Sequence, residues 1–200
     1  MKNAEYTTES ITVLSPVEHI RRRPGMYLGD LNSPMTITKY LQEAMEPALT
    51  HHINKTCNYI KLTVLKDCVA IEYEKGTPLV SSDAALDRMM TKINYYQINE
   101  YLLDEKLCST GPVLANALSS KLTVESSYCG KFGSIQYCAG ELDRNLRIEP
   151  IIGEEFTRIV CWPDQNILKK LYFDRGVFNE WKETMKKHFP KLRLDIQIFN

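Results

Sequence analysis

The chain has 200 residues, 44% hydrophobic and 25% charged, enough to bury the core of one domain and too apolar for intrinsic disorder. Its 25 Lys and Arg balance 25 Asp and Glu, which excludes broad attraction to nucleic acid or anionic membrane through net charge. No apolar run approaches the roughly 20 residues that span a bilayer, and MKNAEYTTES lacks a signal-peptide core. A soluble, cytoplasmic chain is expected.

The polar residues 1–15 read as an N-terminal arm, and residues 16–200 as one domain. Ser15-Pro16 opens a short helix with Pro16 near N1. It runs through Ile20 into Arg21, Arg22 and Arg23, and Pro24-Gly25 breaks it. Ile37, Leu41, Met45, Ala48 and Leu49 have helical spacing. Pro47 falls inside that helix, where it removes a hydrogen bond and favours a kink. NYIKLTVL and CVAIEY, joined by Lys66-Asp67, read as an antiparallel strand pair. Residues 82–93 have a helical pattern, and residues 94–110 fit no single element. Gly111-Pro112 starts a helix through Leu118. KLTVESSY, the turn Cys129-Gly130 and KFGSIQYC follow as a hairpin. Strands are expected near LRIEPII and FTRIVCW. A helix over residues 174–188 places Phe178, Trp181, Met185 and Phe189 on one stripe, and LRLDIQIF closes as a strand. Segregated strands with few βαβ units predict an α+β fold, helices layered on one face of a mixed, mostly antiparallel sheet.

The chemistry-bearing residues are sparse. There is no GxxxxGK[ST] and no GxGxxG. The cysteines at 57, 68, 108, 129, 138 and 161 form no CxxC, and the histidines add no zinc spacing. They read as small buried hydrophobes rather than disulfides. Glu43, Glu46, Glu72 and Glu74 are the candidate acid/base carboxylates.

A resemblance sharpens this reading. SITVLSPVEHIRRRPGMYLGD resembles the N-terminal signature of the B subunits of DNA gyrase and topoisomerase IV, with its I-x-V-L arm and R-x-RPGMYIG. ANALSSKLTVE, GKFGSIQYCAG and Trp162-Pro163-Asp164 resemble further segments of those subunits, in the same order. The resemblance implies a GHKL ATPase domain of the Bergerat type, a two-layer α/β sandwich with ATP between helices and sheet under a glycine-rich lid. It implies a homodimer joined by the arm, with Tyr6 reaching the partner's nucleotide. A topoisomerase or gyrase subunit is the implied partner, and DNA is contacted only through it. The transducer and Toprim regions of that family have no counterpart in these residues.

Carried over residue by residue, the resemblance assigns the general base to Glu43. Pro47 stands where the family has the Mg²⁺-binding Asn, and proline offers no side-chain oxygen. The D-x-G-x-G-I-P segment reads Glu72-Tyr73-Glu74-Lys75-Gly76-Thr77-Pro78. Glu72 then stands for the adenine-binding Asp, Glu74 crowds the adenine side, and Gly76 retains a motif glycine. Gly111 retains one lid glycine, an amide site for a phosphate. Thr157 supplies a hydroxyl near adenine. ATP and Mg²⁺ are the implied cofactors, held weakly if at all after these replacements. Two functions follow: an ATP-operated dimer clamp of a type IIA topoisomerase, or a nonenzymatic gyrase-B-like module that dimerises with or regulates a topoisomerase subunit.

Overall fold

Ser15 opens the first helix with a reciprocal cap. Its hydroxyl accepts from the Glu18 N–H, and its own N–H donates to the Glu18 carboxylate. Helix α1 runs over Pro16–Arg22, with Pro16 in the first turn and two arginines inside the last turn. The helix therefore reaches past Ile20 into the basic run. After Pro24 the chain makes one further helical turn, α2 (Gly25–Leu28), before it leaves through Gly29. Helix α3 (Met35–Ile53) carries Pro47 in its interior without ending there. Burial of Tyr40, Leu41, Ala44, Met45, Ala48 and Leu49 on both sides of the proline holds the helix together. The remaining elements are β1 (Tyr59–Val64), β2 (Val69–Tyr73), α4 (Pro112–Ala117), β3 (Ser119–Tyr128), β4 (Lys131–Cys138), β5 (Glu141–Pro150), β6 (Phe156–Pro163), α5 (Arg175–His188) and β7 (Arg193–Ile198).

In this computed structural model the described residues are 14–80, 85–86, 88–91, 110–169 and 175–199. The arm residues 1–13, with Tyr6, lie outside them, as does most of the ambiguous 94–110 stretch. Within the expected helix over 82–93, the described residues 85–86 and 88–91 form turns instead. The Leu86 N–H is spent on the Pro78 carbonyl, which folds the segment back instead of propagating a helix.

The seven strands form one mixed sheet in the order β5-β4-β3-β6-β2-β1-β7. Every neighbouring pair is antiparallel except β1 with β7, the edge strand that follows α5 and runs parallel to β1. This is the expected α+β architecture. Alternation sets which face is covered. Ile60, Leu62, Ile71, Tyr73, Val124, Ile159 and Cys161 are buried under α3 and α4 in one core. Phe178, Trp181 and Met185 bury the inner stripe of α5. The opposite, uncovered face carries a row of cross-strand partners of alternating charge, Asp195, Lys61, Glu72, Arg158 and Glu125. Arg158 touches Glu72 at 2.8 Å and Glu125 at 3.8 Å.

The β3–β4 turn is built by Cys129 (φ 49°) and Gly130 (φ 72°), the two left-handed residues a tight hairpin needs. Strand β5 starts earlier than its apolar residues suggest, because ELDRNLRIEP is a polar edge strand exposed along nearly its whole length. The cysteines divide. Cys57 and Cys161 are buried as expected, but Cys129 and Cys138 are exposed at hairpin ends, and all five described cysteines are free thiols. Among the described residues, no helix is long and apolar enough to cross a membrane.

Candidate functional site

Glu43 lies on the inner face of α3 and is fully buried. One carboxylate oxygen, Oε2, accepts the N–H groups of Thr110 and Gly111, each at 2.7 Å. Gly111 is the N-cap of α4 with φ 99°, a conformation that favours glycine and aims the backbone amides at α3. The glutamate thus caps the helix whose start was expected to hold a phosphate. A carboxylate at a helix N-terminus satisfies orphan amides and suits the dipole. The same two donors hold Oε2 inside the protein.

One turn on, Glu46 is buried and accepts the Thr50 hydroxyl at 2.9 Å. Burial raises its pKa, with the Thr50 bond opposing. Pro47 follows and presents no donor atom. Among the described residues no group of three or more His, Cys, Asp or Glu is placed to hold a metal ion. Mg²⁺ requires several oxygen ligands in near-octahedral geometry. Pro47 contributes no side-chain oxygen toward such a set.

Thr157 stands on the covered side of β6, across from Tyr73 in register. Its hydroxyl donates to the Lys75 carbonyl at 2.7 Å and accepts the Thr77 N–H at 3.1 Å. The hydroxyls of Thr77 and Ser126 lie 3.0 and 3.2 Å away. The Tyr73 phenol joins this cluster through Thr77 at 3.1 Å. All four side chains are buried. Burial pushes the Tyr73 phenol up to about 12, so it is a neutral donor or acceptor throughout the physiological range. The His51 ring packs against Tyr73 at 5.6 Å, and burial and the nearby Lys75 lower its pKa. Thr157 is therefore a member of a closed internal network.

Glu72 does not join it. Period-two alternation along β2 turns Tyr73 to the helices and Glu72 to the open face, where Arg158 binds it at 2.8 Å. The expectation that Glu72 occupies an adenine position is corrected: the strand's next residue faces that side. Glu74, expected to crowd the same space, accepts the Asn58 N–H at 3.0 Å just past the end of β2. Gly76 is buried, and a Cβ there would stand 2.1 Å from the Ser127 carbonyl oxygen, so close backbone approach explains this glycine without a ligand.

The resembling segments meet elsewhere. Arg21 of α1 donates to the Ala117 carbonyl at 2.6 Å and to the Asp164 carboxylate at 2.8 Å. It ties RRRPGMY to the end of α4 and to Trp162-Pro163-Asp164. Burial opposes ionisation of Asp164, but the bonds from Arg21 and the Asn166 N–H outweigh it and hold the pKa low. Gly140 touches α1 as well, since a Cβ there would lie 2.4 Å from Val17. Asn116 donates to the carbonyls of Met90 and Gly140 at 2.9 and 3.1 Å. Composition alone did not single out Arg21, Asp164, Tyr73 or Ser126. The alternation of β2 does carry the signal for Tyr73.

The chain matches no family model. It is similar over most of its length to B subunits of type IIA topoisomerases. The DNA gyrase B subunit of Chlamydia pneumoniae is 24% identical over 191 residues, which cover 88% of this chain and 24% of the relative. The DNA gyrase B subunit of Haloferax volcanii is 28% identical over 188 residues, 85% of this chain and 28% of the relative. The DNA topoisomerase 4 B subunit of Mycoplasma pneumoniae is 24% identical over 206 residues, 97% of this chain and 32% of the relative. The chain spans about a quarter to a third of the length of these relatives.

Proposed function

From this similarity to type IIA topoisomerase B subunits, we infer that the chain is a gyrase-B-like GHKL domain whose MgATP chemistry is lost. It works as a nonenzymatic module that dimerises through its arm, with Tyr6, and binds or regulates a topoisomerase subunit in the cytoplasm. DNA is reached only through that partner. The observation that carries this reading is the Glu43 cap, in which the would-be base and the would-be phosphate amides satisfy each other at 2.7 Å. The enclosed Thr157 hydroxyl, the turned-away Glu72 and the donorless Pro47 support it.

The ATP-operated clamp is the second reading. Glu43, Gly111 and Thr157 favour it, because all three stay on the covered side of the sheet. Calorimetric titration with a nonhydrolysable ATP analogue plus Mg²⁺, and with ADP in parallel, separates the two. No heat of binding at millimolar ligand is expected. Micromolar affinity, or Mg²⁺-dependent turnover abolished by Glu43→Gln, returns the chain to the clamp. The module reading also expects Tyr6→Ala to shift the dimer toward monomer in light scattering, and a dimer indifferent to that change counts against it.

A further inference from the structure

On the uncovered face of the sheet, away from Glu43 and Thr157, a cleft of ≈ 570 Å³ opens between strands β1 and β2 and the loop that follows β5. That volume falls in the range of roughly 300–1,000 Å³ typical of ligand sites. Tyr59 rises from one side, and Ile151 and Phe156 form the other. Phe156 is braced by the Phe132 ring at 6.4 Å. The walls are therefore aromatic and apolar, on elements fixed by strand pairing.

The charge around these walls has one sign in excess. Glu72, Glu74, Glu154 and Glu155 line the cleft, against the single ammonium of Lys61. Two of the carboxylates already have cations: Glu72 holds Arg158, and Glu155 holds Lys75. Among the described residues neither Glu74 nor Glu154 is in an ion pair. Glu74 uses Oε1 on the Asn58 N–H, and Glu154 is exposed at the rim. Lys61 has Glu72 and Asp195 as its two cross-strand partners, so its charge is offset within the sheet.

Such a surface repels phosphates and attracts a cation that carries apolar surface. A guanidinium suits it better than an ammonium: it is planar, weakly hydrated, stacks on aromatic rings and bridges carboxylates. One face of the Tyr59 ring already carries a guanidinium, that of Arg193 at 5.1 Å, which adds a second cation beside the cleft and shows that this ring accepts such a partner. We propose that this cleft is a docking site for an arginine-bearing peptide segment of a protein partner, with the arginine between the Tyr59 and Phe156 walls and its charge on Glu74 and Glu154. The site is independent of the nucleotide question, because it lies across the sheet from Glu43.

The test is an isotope-edited NMR titration of the full chain with the peptide acetyl-Gly-Arg-Phe-Arg-Gly-amide and its citrulline twin, identical in shape and uncharged. Expected shifts cluster at Tyr59, Glu74, Glu154 and Phe156. The citrulline twin binds at least about tenfold more weakly, and binding weakens with salt. The double variant Glu74→Gln/Glu154→Gln, with both changes at exposed positions, keeps its thermal midpoint and loses about tenfold in affinity. Equal binding of the citrulline twin, or affinity unchanged in the double variant, overturns the proposal. Spermidine matching the peptide in affinity and in the shifted residues overturns the peptide reading in favour of simple polycation binding.

Discussion

Two regions of this molecule carry the resemblance, and they differ in what their residues do. At the junction of α1, α4 and the end of β6, Arg21 reaches Ala117 and Asp164 within 2.8 Å, and Gly140 gives α1 room to pack. Every member has a partner inside the fold, and Arg21, Asn116 and Asp164 all belong to the resembling segments. In the layer between α3 and the sheet, the residues assigned to ligand work are replaced or redirected. Pro47 has no side-chain oxygen, Glu72 faces outward, and Glu43 accepts the Thr110 and Gly111 amides. A residue with a packing role is held by its neighbours whether or not a ligand binds. A residue held only by a ligand is not.

This contrast breaks most sharply at Gly76. Gly76→Ala puts a methyl 2.1 Å from a backbone carbonyl of the central strand β3, which cannot shift cheaply. We expect a loss above about 4 kcal/mol, or no soluble protein. Urea unfolding with a loss under about 1 kcal/mol would show that the approach relaxes freely.

Next is Arg21→Ala, which leaves Asp164 without its cation and the Ala117 carbonyl without its donor. The expected loss is about 3 kcal/mol in chemical denaturation. The acid limb is a second readout. The native pKa of Asp164 is held below its ordinary value. The stabilisation is therefore present above the unfolded value and is lost as pH falls through the native one. Arg21→Ala should flatten that limb, and an unchanged acid profile would refute this role of the Arg21–Asp164 pair.

Glu43 discriminates the two regions directly. Glu43→Ala uncaps α4 and should cost about 2 kcal/mol. Glu43→Gln keeps a carbonyl oxygen for the two amides and should cost less than about 1 kcal/mol. An equal, large loss in both would mean that the negative charge, rather than the acceptor, holds the helix start.

Tyr73→Phe removes one phenol from the hydroxyl cluster and should cost about 1 kcal/mol, measured by thermal unfolding. A gain in stability would mean that the phenol is a burden there.

The smallest effect, read as a pH trend, is at Glu46. Its native pKa is raised by burial. Its contribution is complete below the ordinary carboxylate value and is lost as pH rises through the native one. Glu46→Gln should remove that decline and stabilise the protein at neutral pH. A decline over that same window that persists in the variant would assign it to another group.

Much of the fold was legible because its signals are local. Pro16 after Ser15, the period-two runs of β1 to β4, Cys129-Gly130 and the Phe178–Trp181–Met185 stripe each act within a few residues. Strand β5 was legible only in part, since an edge strand exposed on both faces has no apolar alternation to read. The segment at 82–93 has helical spacing, yet its described residues make turns, because the Pro78 carbonyl claims the Leu86 amide.

The sequence by itself determined the α+β class, the order of the strands and of α1, α3, α4 and α5, the kinship of the motifs and the absence of a side-chain oxygen at Pro47. The tertiary structure decided what the remaining motif residues do. Glu43 and Gly111 are 68 positions apart, and Thr77 and Thr157 are 80 apart. Only the packing of α3 and α4 against the sheet brings each pair into contact. A motif names residue types at a spacing, whereas a hydrogen bond needs atoms within about 3 Å. Whether a carboxylate serves a ligand or caps a helix is settled at that distance.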